Sequence, residues 1–103
     1  MATHWMIYGA NGYTGHLLAA EAKRQGLTPI LAGRNPAAVH ALGSLLGLEC
    51  RIFDIHQPQR AMEALADVAV VAHCAGPFSA TSAPMIDACL ASNTHYVDIT
   101  GEI

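Results

Sequence analysis

Gly9, Gly12 and Gly15 recur at every third position in the run Met6-Ile7-Tyr8-Gly9-Ala10-Asn11-Gly12-Tyr13-Thr14-Gly15-His16-Leu17-Leu18. An apolar strand that enters such a turn and leaves it as a helix can set a dinucleotide pyrophosphate on the helix N-terminus. Gly9 permits the tight turn, Gly12 lets backbone approach the phosphates, and Gly15 lets the helix pack close to the sheet. The first amides of the helix have no partner within it, and together with the helix dipole they attract negative charge. Asn11 and Tyr13 contribute backbone and shape. Thr14 either adds a hydroxyl near the pyrophosphate or simply starts the helix.

The end of the second strand discriminates between dinucleotides. An NAD site places a carboxylate there, roughly 20 residues past the glycine turn, on the ribose 2′-hydroxyl. Gly33-Arg34-Asn35 holds no carboxylate. A guanidinium pairs with a 2′-phosphate through two hydrogen bonds where a carboxylate repels it, so NADP is expected rather than NAD. The competing reading makes Arg34 a solvated loop residue. Asp54, ending the third strand, either approaches the adenine or caps the following turn, and capping is the favoured role. Gly76-Pro77-Phe78 either follows the cofactor ribose or forms a tight turn with an aromatic plug. Asp98 and Glu102 fall at the expected nicotinamide end, as acid or base or as hydrogen-bonding groups of a strand end. The six histidines lack ligand spacing, and no metal site is expected. Cys50, Cys74 and Cys89 read as small packing residues.

These residues need a scaffold, and the chain supplies alternating strands and helices. Strands are predicted at His4–Tyr8, Thr28–Ala32, Cys50–Ile55, Val68–Cys74 and His95–Ile99. Helices are predicted over Tyr13–Gln25, from Pro36 to Gly47, from Pro58 to about Ala66, and from Pro84 to Leu90 with Asn93 beyond it. Gly26 and Leu27 suit a left-handed cap, and Asn35-Pro36 suits an N-cap followed by the first helical residue. Gly43 costs its helix about 1 kcal/mol relative to alanine, so that helix is expected to be short or imperfect. Right-handed crossovers then give an α/β fold: a Rossmann-type doubly wound parallel sheet of about five strands, order 3-2-1-4-5, with helices on both faces. The carboxyl ends of the strands gather Gly9–Gly15, Gly33–Asn35, Asp54, Cys74–Ser79 and Asp98–Glu102.

Composition bounds the function. The 103 residues are 52% apolar and 13% charged, which suits one well-buried domain. A net charge of −3 with five Lys and Arg, never more than two in succession, provides no footprint for nucleic acid. The longest strictly apolar run, Val68–Ala72, is five residues, far below the ~20 of a membrane span. Three cysteines without C-x-x-C spacing suit a reduced, cytoplasmic setting.

The segments G-A-N-G-Y-T-G, L-A-G-R-N-P, C-A-G-P-F-S and H-Y-V-D-I-T-G-E, in this order and at these separations, resemble the NADP-binding N-terminal domain of the saccharopine dehydrogenase-like oxidoreductases. That group includes saccharopine dehydrogenase or reductase and the trans-acting enoyl reductases. The resemblance runs from Trp5 to Glu102, and its late segments make it specific. It implies that Gly9, Asn11, Gly12, Tyr13 and Thr14 hold the pyrophosphate. Arg34 and Asn35 would surround the 2′-phosphate, and Ala75, Gly76 and Pro77 would flank the ribose toward the nicotinamide. It also implies a longer parent, whose substrate domain follows residue 103 and partners this one. Hydride transfer between NADP(H) and a small molecule is then expected of the parent, with this domain binding nucleotide without turnover. A non-catalytic NADP-sensing module of NmrA-like type is the alternative, and a fold that no longer binds cofactor is the third reading. Strand five is expected to leave an apolar edge near Val97 and Ile99 that pairs with a second copy.

Overall fold

The computed structural model describes residues 4–75 and 78–98, the side chains at 78–80 and 98 excepted. Among these described residues nine elements alternate as expected: β1 (His4–Tyr8), α1 (Tyr13–Arg24), β2 (Ile30–Gly33), α2 (Pro36–Leu46), β3 (Cys50–Ile52), α3 (Pro58–Leu65), β4 (Val68–His73), α4 (Phe78–Ser92) and β5 (His95–Asp98). All strand pairings are parallel, in the order β3-β2-β1-β4-β5.

Strand alternation divides the core. Met6 and Tyr8 point to one face with Ile30, Ala32, Val68 and Val71, where α3 and α4 deliver Ala61, Leu65, Met85, Ala88 and Cys89. Ile7 and Leu31 point to the other, against Ala19 of α1 and Val39 and Leu42 of α2. Each fully buried Met, Ile or Leu contributes about 1.5–3 kcal/mol relative to exposure, so a one-residue register slip would forfeit both faces together. Burial pushes the Cys89 thiol up to about 11, as suits a packing residue. Cys50 and Cys74 are only half-buried.

Local signals decide most helix ends. In α1 the Gly26 amide returns to the Lys23 carbonyl at 3.0 Å and the Leu27 amide to Ala22 at 2.9 Å, a complete Schellman closure with Gly26 at φ +80°. Asn35 accepts from the Ala38 amide at 3.1 Å ahead of Pro36.

Four expectations need correction. Helix α2 runs unbroken through Gly43, where a Cβ would overlap the Cys50 sulfur and approach the Leu48 carbonyl oxygen at 3.1 Å. Its lost propensity is exchanged for close helix–sheet packing. Helix α4 starts at Phe78, not Pro84, which lies inside it. There Pro84 lacks the bond that it would donate to residue 80 and its ring crowds that carbonyl, a cost that the rest of the helix absorbs. Strand β3 ends at Ile52, because Asp54 accepts from the His56 amide at 2.9 Å and turns the chain. Strand β2 occupies Ile30–Gly33, so Thr28 and Pro29 belong to the approach.

On β3, Arg51 donates two hydrogen bonds to Asp67, beside the start of β4, and one of 2.9 Å to the Ala64 carbonyl. The Arg51 guanidinium holds the Asp67 carboxyl below the ordinary carboxylate range. A depressed folded-state pKa stabilises above the ordinary Asp value and is lost as pH falls through the folded one. Asp67 is half exposed, so Asp67→Asn is expected to cost only about 0.5–1 kcal/mol near neutral pH. Urea midpoints of the two proteins should converge as the pH falls toward ~2. A difference independent of pH would remove the charge from the account.

Candidate functional site

Strand β1 is paired on both sides to its last residue and then loses both neighbours. The Gly9 amide donates to the Ala32 carbonyl at 2.8 Å, and the Cys74 amide donates to the Tyr8 carbonyl at 2.8 Å. Beyond that point the chain after β1 turns toward the α1 and α2 face, and the chain after β4 turns toward the α3 and α4 face. A crevice opens where the connections diverge, the ligand position of a doubly wound sheet. It has a volume of about 450 Å³.

Gly9 enters the turn at φ +83°, a conformation that side chains resist, and a Cβ on it would lie 2.6 Å from the Ala75 amide nitrogen. Gly15 lies beneath the turn, where a Cβ would overlap the Gly9 carbonyl oxygen and reach 2.8 Å from Ala10 Cα. Gly12 differs from both: a Cβ there would meet only the Gly9 carbonyl oxygen, at 3.4 Å. Gly12 is also the N-cap of α1, and no side chain caps that end. By contrast, the Asn35 side chain occupies the N-terminus of α2. Gly12, which lines the crevice, thus leaves the start of α1 without a side-chain cap, an arrangement suited to an anion.

Gly9, Asn11, Gly12, Gly33, Arg34, Asn35, Asp54 and Ala75 all line the crevice. Tyr13 is 83% exposed and, with Thr14 and Gly15, does not line it. Asn11 does more than supply backbone, since its Oδ1 would lie 3.1 Å from a Cβ on Gly33 and so covers the end of β2. Arg24 and Arg51 are committed to carboxylates, whereas no ion pair among the described residues holds Arg34. Asp54 caps its turn while still facing the crevice. Gly76, Pro77 and Glu102 lie outside the described residues, and Asp98 is described only as the backbone end of β5.

Sequence reasoning missed four lining residues: Tyr8, Ile55, His56 and Thr81. Tyr8 is the last residue of β1, and its hydroxyl donates to the Phe53 carbonyl at 2.9 Å, 45 residues away. Burial raises the pKa of this phenol. Its position at a strand terminus was the available signal. Thr81 had none, because α4 was expected to begin after it. Among the described residues no three His, Cys, Asp or Glu side chains gather as a metal site. No helix among them is long and apolar enough to cross a membrane.

The trans-acting enoyl reductase of Mycobacterium tuberculosis is 30% identical over 95% of this chain, and the chain covers 25% of that protein. The saccharopine dehydrogenase-like oxidoreductase of Bos taurus is 28% identical over 96% of the chain, which covers 28% of it. The chain thus spans about a quarter of the length of these curated relatives. Among solved structures, saccharopine dehydrogenase (L-Glu forming) of Saccharomyces cerevisiae superposes with a TM-score of 0.81 at 16% identity, covering 94% of this chain and 21% of that one. Triphenylmethane reductase of Citrobacter sp., solved with NADP(H), gives 0.76 at 22% identity, covering 91% and 36%. At those identities the likeness establishes the fold alone, a Rossmann-like α/β sheet. The family profile described as saccharopine dehydrogenase NADP binding domain matches residues 5–102. The chain, α/β in fold with NADP as its cofactor class, belongs to the saccharopine dehydrogenase NADP-binding domain family.

Proposed function

We propose that the crevice at the ends of β1, β2, β3 and β4 holds NADP(H), and that this domain presents it to a substrate bound by further chain of a longer oxidoreductase. The observation that carries the reading is the uncapped α1 terminus at Gly12, open to the crevice, with Arg34 in place of a carboxylate at the end of β2. The residues present fit the group. Backbone at Gly12 and the first α1 amides would take the pyrophosphate, and Tyr13 and Thr14 would contribute through their amides. Arg34 would pair with the 2′-phosphate beside Asn35, while Asp54 and Ile55 would border the adenosine. Ala75, with Gly76 and Pro77, would flank the ribose toward the nicotinamide. When bound, NADP(H) supplies hydride transfer. Asp98 pairs in register with His73 at the end of the sheet, and with Glu102 it is our candidate for moving a proton there. Turnover requires donor and acceptor in near-attack geometry, so the 103 residues alone should bind without reducing anything.

The sensing alternative has weaker support, because the curated relatives are named as enoyl reductases and an oxidoreductase. Association at the β5 edge, with a second copy or with further chain of the parent, is part of the same proposal. Val97 is 46% exposed there, while Ile99 lies outside the described residues. The odd cysteine count supports a reducing, cytoplasmic compartment. Calorimetric titration with NADPH and NADH tests the cofactor reading. NADPH should bind at least about tenfold more tightly, the equivalent of one charge-assisted pair. Equal affinities would remove Arg34 from the account, and no binding of either would overturn the site.

A further inference from the structure

His73 is the last residue of β4 and is fully buried, although its neighbours Val71 and Ala72 show that this strand is otherwise apolar. Its ring lies between Tyr8, at a centroid distance of 6.0 Å, and Tyr96, at 5.9 Å. Its Nε2 is 2.9 Å from the Thr81 hydroxyl, and that hydroxyl donates to the Ala75 carbonyl at 2.9 Å. With the single hydroxyl proton of Thr81 given to a carbonyl, the bond from the ring must be donated by Nε2–H. A buried imidazole costs free energy unless it is hydrogen-bonded, so this chain of bonds fixes the ring, the hydroxyl and the carbonyl together. Ala75 is the residue that abuts Gly9, and both Ala75 and Thr81 line the crevice.

We infer that His73 and Thr81 form a positioning clasp that holds the Ala75 wall against the glycine turn, and so shapes the half of the crevice that takes the nicotinamide mononucleotide portion of NADP(H). The inference rests on the cofactor reading above. Its location follows from the topology. Arg34 and Asp54 stand on the β2 and β3 side, while Ala75 and Thr81 stand on the β4 side, and a doubly wound sheet assigns one half of the dinucleotide to each. Neither His73 nor Thr81 is needed for the adenosine half. Thr81→Val removes the hydroxyl at nearly constant volume, and Thr81→Ser keeps it.

The test is calorimetric titration of wild type, Thr81→Val and Thr81→Ser with NADPH and with 2′,5′-ADP, which carries the adenosine half alone. Thr81→Val should weaken NADPH by about three- to tenfold, the share of a buried hydrogen bond that is felt at the crevice wall, and leave 2′,5′-ADP within about twofold. Thr81→Ser should restore NADPH. His73→Phe keeps a ring between Tyr8 and Tyr96 but has no N–H, and it should repeat the selective loss, which secures the test if Thr81→Val does not fold. Equal weakening of both ligands, or no weakening, would overturn the clasp while the cofactor reading stands. A wild type that binds neither ligand would overturn that reading, and the clasp with it.

Discussion

Gly15→Ala is expected to destabilise the fold by about 3 kcal/mol, whereas Gly12→Ala, three residues earlier, should cost no more than about 1 kcal/mol, the difference between glycine and alanine as an N-cap, and abolish tight NADPH binding. The added carbon is the same, and the surroundings decide the outcome. At Gly15 it meets the Gly9 carbonyl oxygen and Ala10 Cα, both backbone, so α1 must lift from the sheet. Overpacking against backbone is not relieved by a rotamer change, and about 3 kcal/mol is a large part of the ~5–15 kcal/mol that holds a domain of this size. At Gly12 the backbone has φ −78°, which any residue adopts, and the new methyl meets only one carbonyl oxygen at 3.4 Å. The methyl instead enters the crevice, where the pyrophosphate would contact backbone directly, and NADPH affinity should fall by about a hundredfold or more. Urea unfolding and NADPH titration of both variants separate the two effects. A Gly12→Ala destabilised as much as Gly15→Ala, or a Gly12→Ala that binds normally, would refute the proposed cradle.

Arg34→Ala should erase the preference for NADPH. A guanidinium paired with a phosphate contributes about 1.5–3 kcal/mol through charge-assisted hydrogen bonds, so NADPH should bind about 10–100-fold more weakly. NADH has no 2′-phosphate and should be unaffected. Arg34 is exposed and forms no ion pair among the described residues, so its loss should hardly move the unfolding midpoint. Retained preference in Arg34→Ala would assign the 2′-phosphate to another group, with His56, which lines the same crevice, the next to substitute.

Features held by short-range geometry were legible in the residues themselves. Gly26 and Leu27 close α1 through bonds that span no more than five residues, and Asn35 caps α2 from three residues away. The order of the strands was legible too, since right-handed crossovers leave few arrangements for five alternating units. Asp54 shows where local reading was sufficient for the turn and incomplete for the site: it does cap, and it also faces the crevice. Helix α4 shows where it failed. Proline at Pro84 argued for a helix start, but the helix already runs from Phe78 and tolerates the one donor that proline lacks.

The sequence by itself determined the strand–turn–helix that would cradle a pyrophosphate, the missing carboxylate at Gly33-Arg34-Asn35, and the family resemblance that the profile match then established. The tertiary structure decided why Gly43 is a glycine, because the obstacle is Cys50 on another element. It also placed Tyr8 and Thr81 on the crevice, and tied His73 to Ala75 through the Thr81 hydroxyl. The difference has one physical cause. Turns and caps are closed by neighbours a few residues along the chain, so residue type and spacing specify them. The walls of the crevice are made by strand ends and a helix that meet only when the sheet assembles, and no local pattern records which side chains will then face one another.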